Sequence, residues 1–415
     1  MMKKEISQII DGRRVIVRKP ELLAPAGNLE KLKTAVLYGA DAVFFGGKEF
    51  SLRSQASNFS LENIQEAVAF SHAHGAKVHV TANIVMHEEN LAGLEDYLLK
   101  LDEIGVDAII AADPHVILTA KRLGCRFETH LSTQMSSTNS EAVKFWAKKG
   151  VERVVLAREV TYEALTQIIE QSPIDIEYFI HGAMCVNLSG RCMLSNYYSR
   201  RDANRGGCSQ SCRWFYTLED SRQQTIGDTP FTMSSCDLAS ITEIPQLIEA
   251  GVDSFKIEGR MKSIHYIATI VSTYRKLIDA YCADPDHFNM SDFYEKEIAK
   301  AANRKVSTGF FYGIANEKQQ LFNLRDEHPT QEFVIRVLAY DENTGLAKIE
   351  QRNHFKVGDV VEFFSPNQDN FTMQVEALYN LEMEAIEVAN HPMEELYLKV
   401  SSHVSANDMA RKVRK

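Results

Sequence analysis

The chain has 415 residues, 45% of them hydrophobic and 25% charged, with a formal net charge of −10. That length exceeds one ordinary domain but fits a barrel of about 250 residues with a smaller module, around a sizeable core. The acidic balance excludes non-specific nucleic-acid binding over the whole surface, and no apolar run approaches the roughly 18 residues of a membrane span.

The opening residues, MMKKEISQIIDGRRVIVRKP, contain basic groups but no apolar stretch of signal-peptide length, so a cytoplasmic chain is expected. ELLAPAG (21–27) is the first strand candidate. One pattern then recurs at YGADAVFFGG (38–47), IGVDAIIAAD (104–113), KGVERVVLARE (149–159) and AGVDSFKIEGR (250–260), with weaker versions at HGAKVHVTANI (74–84) and LGCRFETHLSTQ (123–134). In the stronger copies a glycine closes a helical stretch, and a small or branched apolar residue, an acid and a strand-like run follow. Glycine just past a helix end is the expected C-cap, and the apolar run after it reads as a buried parallel strand. DIEYFIHG (175–182) completes eight strand candidates. Amphipathic helices are expected over Leu29–Tyr38, Leu61–His74, Asn90–Ile104, Pro114–Leu123, Ser140–Lys149, Tyr162–Gln171, Thr242–Ala250 and Ile264–Ala283. Strand and helix alternating eight times predicts an α/β fold, a (β/α)8 TIM-like barrel over residues 1–283. An open doubly wound sheet is disfavoured, because no Gly-x-Gly-x-x-Gly turn follows the first strand.

The barrel region carries a cysteine-rich insertion at 183–216 and a β-hairpin to about 237. A helical and irregular connection is expected over 284–330. Six strand-like runs from EFVIRVLAY to EELYLKV then predict a small C-terminal all-β, barrel-like domain over 331–404, suited to binding RNA or a neighbouring subunit, or to plain stabilisation. Residues 405–415, ending in ARKVRK, read as a basic tail.

The insertion is the most informative stretch. Cys185, Cys192, Cys208 and Cys212 follow one another with six, fifteen and three residues between them, among glycines at 182, 190, 206 and 207. Four thiols so close together suit one metal centre, and both structural zinc and a [4Fe–4S] cluster take four thiolates. Arg191, Arg200, Arg201, Arg205 and Arg213 stand against Asp202 in the same stretch, as solvated loop charge or as support for an anionic centre. Cys125, Cys236 and Cys282 lack close partners in sequence and are expected to be buried, inert thiols.

A barrel of this kind keeps its active site at the C-terminal ends of its strands, and the insertion begins where the seventh strand ends. Candidate binding residues at those ends are Arg158, Glu159, His181, Glu258 and Arg260. Arg158 and Arg260 suit a carboxylate-bearing ligand, since guanidinium grips carboxylate bidentately. The structural alternatives are ion pairs bracing the rim and a satisfied histidine beside a turn. No Gly-x-Ser-x-Gly elbow and no P-loop is present, and the motif begun by His87-Glu88 lacks its second histidine, Leu91 standing there.

The run EYFIHGAMCVNLSGRCMLSNY, continued by RDANRGGCSQSCRW, resembles the signature of the collagenase-like peptidase family U32. The likeness extends through ELLAPAGN, LAREV, FKIEGRMKS and TGFF (308–311), and so covers most of the chain. The resemblance implies a barrel with a C-terminal β-module and, by family name, a protease of unknown catalytic type. Bacterial members similar to this pattern support tRNA hydroxylation, forming 5-hydroxyuridine at the anticodon wobble position in a pathway dependent on prephenate and on iron–sulfur assembly. Others serve ribosomal RNA hydroxylation and oxygen-independent ubiquinone synthesis. In such members four cysteines hold an iron–sulfur cluster, and they map onto Cys185, Cys192, Cys208 and Cys212. The partners so implied are tRNA, prephenate or a similar carboxylate, and a paralogous subunit. The catalytic residues stay unassigned. A collagenase-like peptidase and a non-catalytic, zinc-stabilised scaffold are the alternatives.

Overall fold

The computed structural model describes residues 5–52, 58–302, 304–322 and 330–413, the side chains of 228 and 229 excepted. Eight parallel strands close a barrel: β1 (Glu21–Pro25), β2 (Ala42–Gly46), β3 (Lys77–Ala82), β4 (Ala108–Ala111), β5 (Glu128–Leu131), β6 (Arg153–Val155), β7 (Asp175–Gly182) and β8 (Ser254–Ile257). Each pairs with the next. Closure comes from Ser254, which stands opposite Glu177 of β7 on one side and Glu21 of β1 on the other. All eight predicted strands are present.

The helices are α1 (Leu29–Leu37), α2 (Leu61–Ala73), α3 (Leu94–Ile104), α4 (Pro114–Leu123), α5 (Ser140–Lys148), α6 (Tyr162–Gln171), α7 (Leu194–Ser199), α8 (Ile244–Ala250), α9 (Ile264–Ala283) and α10 (Asp292–Ala301). Their starts are chemically marked. Asn28, Ser60, Asp113, Asn139, Thr161 and Ser263 each accept a backbone N–H from the first turn of the helix they precede. Gly105, Gly124 and Gly251 end α3, α4 and α8 in the left-handed conformation that the recurring pattern required. α3 starts at Leu94 rather than Asn90, because Glu88–Asn90 forms a separate 3-10 turn.

A bulge near the end of β7 decides one side chain's role. Phe179 pairs with Lys256, yet the next pair is His181 with Ile257, so Ile180 is the extra residue. Beyond the bulge His181 faces α9, where its Nδ1 lies 3.2 Å from the Tyr274 hydroxyl.

The expected hairpin pairs Tyr216–Glu219 with Thr225–Phe231. The chain then returns to the rim: Asp237–Ala239 pairs antiparallel with β7 and parallel with Val306–Ser307. The connection over 284–322 thus holds α10 and a strand that extends the barrel sheet. Residues 303 and 323–329 of the predicted connection lie outside the described residues.

The C-terminal domain is an antiparallel sheet of β9 (Gln331–Asp341), β10 (Leu346–Gln351), β11 (Val360–Phe364), β12 (Phe371–Gln374), β13 (Leu378–Tyr379), β14 (Ala385–Ile386), β15 (Glu395–Lys399) and β16 (Met409–Val413), in the order β12-β11-β16-β9-β10-β15-β13-β14. The predicted basic tail is corrected here. Met409–Val413 is an inner strand of the sheet, and Arg411 is fully buried. Its guanidinium meets Glu362 at 2.7 Å and Glu297 of α10 at 2.5 Å, so a residue that looks like tail charge locks the β-domain onto the barrel. Arg336 reinforces the same interface through Glu30 of α1 at 3.0 Å. Residues 414–415 lie outside the described residues.

Candidate metal centre at the barrel mouth

The cysteine segment leaves β7 at Gly182, whose φ is +115° and where a Cβ would stand 2.3 Å from the Glu258 carbonyl oxygen. Only glycine tolerates that approach. From there the segment is pinned over the mouth by two loops. Glu159, after β6, accepts the Ser189 N–H at 2.8 Å. Val85, after β3, donates to the Asn204 carbonyl at 3.1 Å, and Arg205 reaches Glu89 at 2.8 Å and Asn90 at 3.0 Å.

Within the segment three of the four cysteines are each positioned by a small motif. The Asn204 side chain clamps Cys192, accepting its N–H at 3.2 Å and donating to its carbonyl at 3.3 Å. Ser195, fully buried on α7, donates to the Arg201 carbonyl at 2.7 Å and accepts the Ser209 N–H at 3.1 Å, which draws the Cys208 turn back against the helix. Cys212 sits in the turn Ser211–Arg213, and its carbonyl accepts the Met233 N–H at 3.0 Å.

All four thiols are free, Cys192 buried, Cys185 and Cys212 half-buried and Cys208 exposed. They converge closely enough that Cys185 feels the charges of Cys192 and Cys208, and Cys212 feels all three others. Burial pushes the Cys185 thiol up, against the Asn187 N–H and Arg158; burial likewise raises Cys212, against Arg213. Four thiols gathered in one short segment are a donor set that fits a metal group. Of the other cysteines, Cys236 and Cys282 are buried as expected, while Cys125 is half-buried.

The predicted binding residues divide. Arg158 belongs to the mouth: it donates to the Ala183 carbonyl at 2.8 Å, lies 4.1 Å over the Phe179 ring, and approaches Glu258 at 3.9 Å. Glu159 anchors the segment through Ser189. His181 is corrected from binding residue to core residue, since the bulge turns it to α9 and burial lowers its pKa to about 3. Arg260 is corrected as well. It is buried in a polar cradle, donating to Leu52 O at 2.6 Å and Thr81 Oγ1 at 3.1 Å, and so braces the rim.

A second set of residues was not foreseen. Arg304 approaches the buried carboxylate of Asp237 at 3.3 Å and Lys262 approaches it at 3.7 Å, with Arg213 in the same field. Burial lowers the Lys262 pKa against the pull of Asp237; burial and then Arg304 lower that of Arg213. Three cations therefore share Asp237 beside Cys212. Lys262 stands within the FKIEGRMKS run, but Asp237 and Arg304 carried no local signal.

At the opposite end of the barrel interior, Arg153 bonds Glu21 and Lys256 bonds Glu177 at 2.6 Å. His79, His130 and Glu177 bring ligand atoms within 4.8 Å of one another there. Lys256 already holds that carboxylate, and burial keeps the His79 imidazole neutral, with a pKa of about 3. The cations and carboxylates of this group pair with one another in a polar layer of the core.

A closed parallel barrel whose C-terminal face carries a four-cysteine insertion, followed by a small antiparallel β-domain, defines the class of protein. The model of Peptidase family U32 matches residues 27–321, and that of the Peptidase family U32 C-terminal domain matches 329–411. The chain belongs to peptidase family U32. It is 50% identical to "tRNA hydroxylation protein P1" of Bacillus subtilis over 98% of both chains. It is 33% identical to "tRNA hydroxylation protein P2" of the same organism, over 71% of this chain and 98% of that one. It is also 30% identical to "Collagenase" of Porphyromonas gingivalis, over 89% of this chain and 92% of that one. Among the described residues no helix is long and apolar enough to cross a membrane.

Proposed function

We propose that the chain takes part in hydroxylating tRNA in the cytoplasm, at C5 of the wobble uridine, as an iron–sulfur protein. The observation that carries this reading is the convergence of four free thiols on the catalytic face of the barrel, in a chain half identical to a tRNA hydroxylation protein. Cys185, Cys192, Cys208 and Cys212 would hold a [4Fe–4S] cluster. Replacing the C5 hydrogen by hydroxyl is an oxidation that ordinary side chains do not perform, and such a cluster supplies electron transfer when bound. Arg158 and Arg213 offset the negative charge of the thiolates. Arg213, Lys262 and Arg304, with Asp237 between them, form a seat for a small carboxylate such as prephenate, in place of the Arg260 grip that the sequence suggested. A paralogous subunit is a natural partner, since Bacillus subtilis holds two relatives with the same functional name.

Anaerobic purification tests the cofactor: brown protein with a broad absorbance near 400 nm (roughly, as cluster charge transfer gives) and iron matched by sulfide is expected, whereas colourless protein with one zinc refutes it. Nucleoside mass spectrometry of tRNA tests the function. Loss of wobble 5-hydroxyuridine derivatives is expected on deleting the gene together with any paralogue, and their persistence refutes it. The peptidase reading stands on the relative named collagenase; gelatin cleavage by pure protein, abolished by a point mutation, would establish it.

A further inference from the structure

The insertion that carries the cysteines also exposes an unusual run of aromatic rings. Tyr197 is 83% exposed, Tyr198 48% and Trp214 41%. Tyr197 and Tyr198 ring centroids are 5.2 Å apart at an interplanar angle of 87°, and Tyr198 and Trp214 are 6.4 Å apart at 59°. Tyr216 continues the row, 5.5 Å from Tyr198. Tyr197 and Tyr198 meet edge to face and the other pairs are tilted, so ring faces stay turned to solvent and the row is not closed by its own packing. A contiguous exposed apolar surface of this kind marks an interaction site.

Its surroundings are cationic. Between residues 183 and 216 five arginines stand against one acid, Asp202, in a chain whose net charge is −10. Asp202 is half-buried and accepts the Asn204 N–H at 2.9 Å, while Arg191 and Arg200 are exposed. The base of the row is rigid, because buried Ser195 ties α7 to the Cys208 turn. Trp214 follows Cys212 by two residues, at the end of the same turn.

We infer that Tyr197, Tyr198 and Trp214 form a stacking platform for unpaired bases of a single-stranded RNA loop, with Arg191 and Arg200 meeting its phosphates. Aromatic faces interleaved with arginines are what unstacked bases on a charged backbone require, and a duplex has no free base faces to offer. A base on Trp214 lies beside Cys212, so the platform delivers the loop to the thiols. The inference rests on the tRNA reading above and adds the surface that reading lacks.

The test is fluorescence anisotropy with the anaerobically purified chain and two labelled RNAs, an anticodon stem–loop with a wobble uridine and a hairpin of the same length with its loop bases paired. Trp214→Ala and Tyr198→Ala should each weaken stem–loop binding at least about fivefold, since a stacked base contributes ~1–3 kcal/mol, and Trp214→Phe should restore most of it. Tyr197→Ala removes the most exposed ring, and its iron content and melting temperature should match wild type while affinity falls. Arg191→Gln and Arg200→Gln should each reduce the salt dependence of log K by about 0.7. Wild-type affinity in Tyr197→Ala and Trp214→Ala, with iron intact, overturns the platform and leaves the tRNA reading standing. A wild-type chain that binds neither RNA overturns both.

Discussion

The two ends of the barrel interior treat charge in opposite ways. At the floor, Arg153 and Lys256 share Glu21 and Glu177, two cations for two carboxylates, all buried or nearly so. At the mouth, Arg213, Lys262 and Arg304 share Asp237 beside the four thiols. At the floor each cation has a carboxylate partner within the layer. A surplus of cations attracts an anion, whether thiolates around a cluster or the carboxylate of a small molecule. The contrast separates architecture from function within one barrel.

The largest effect that separates the ends is expected from the cysteines. Cys192→Ser removes a buried thiol clamped by Asn204 and, on the cluster reading, should abolish iron binding and the 400 nm band, while the urea midpoint of the metal-free protein moves little. Glu177→Ala should do the reverse. It leaves Lys256 and Arg153 buried without that partner, costing roughly 3–5 kcal/mol in urea unfolding with iron content unchanged. If Glu177→Ala cost nothing, the floor would not be the paired layer described above.

That distinction was only partly legible in the sequence. The barrel could be read because its signals are local: capping side chains, glycines at helix ends, and strands buried on both faces. The four cysteines could be read because they lie in one short segment. His181 could not, since a single bulged residue, Ile180, turns it from mouth to helix layer, and no composition marks a bulge. Asp237, Lys262 and Arg304 come from three separate segments joined only by the return of the chain to the rim. Arg411 looked like tail charge, because its two carboxylate partners lie 49 and 114 residues away.

An intermediate effect should appear with pH. Burial holds His79, His181 and His265 at pKa values of about 3, well below the 6.5 of an unfolded histidine. Between those values the unfolded chain binds protons that the folded one refuses, so stability is full above pH 6.5 and falls as pH drops toward 3. The thermal midpoint should be flat from pH 7 to 8 and decline below about 6.5, and His79→Asn should make that decline shallower. A midpoint independent of pH from 7 down to 4 would show that these imidazoles are solvated.

The smallest effect bears most directly on the mouth. Arg213 opposes the burial of Cys212, and no carboxylate pairs with it more closely than the field of Asp237 it shares with Arg304 and Lys262 among the described groups. If a cluster sits on the four thiols, reduction adds negative charge there, and a nearby guanidinium stabilises the reduced form more than the oxidised one. Arg213→Gln should therefore shift the reduction potential to more negative values in a dye-coupled titration followed by electron paramagnetic resonance. The folding midpoint should scarcely change. Arg126→Gln is the control at the other end, where the side chain is 75% exposed and pairs with Asp102, and it should leave the potential unmoved. Equal potentials in the wild type and Arg213→Gln would mean that the surplus charge at the mouth serves the incoming carboxylate rather than the metal. Lys262→Gln would then raise the KM for that carboxylate without altering the potential.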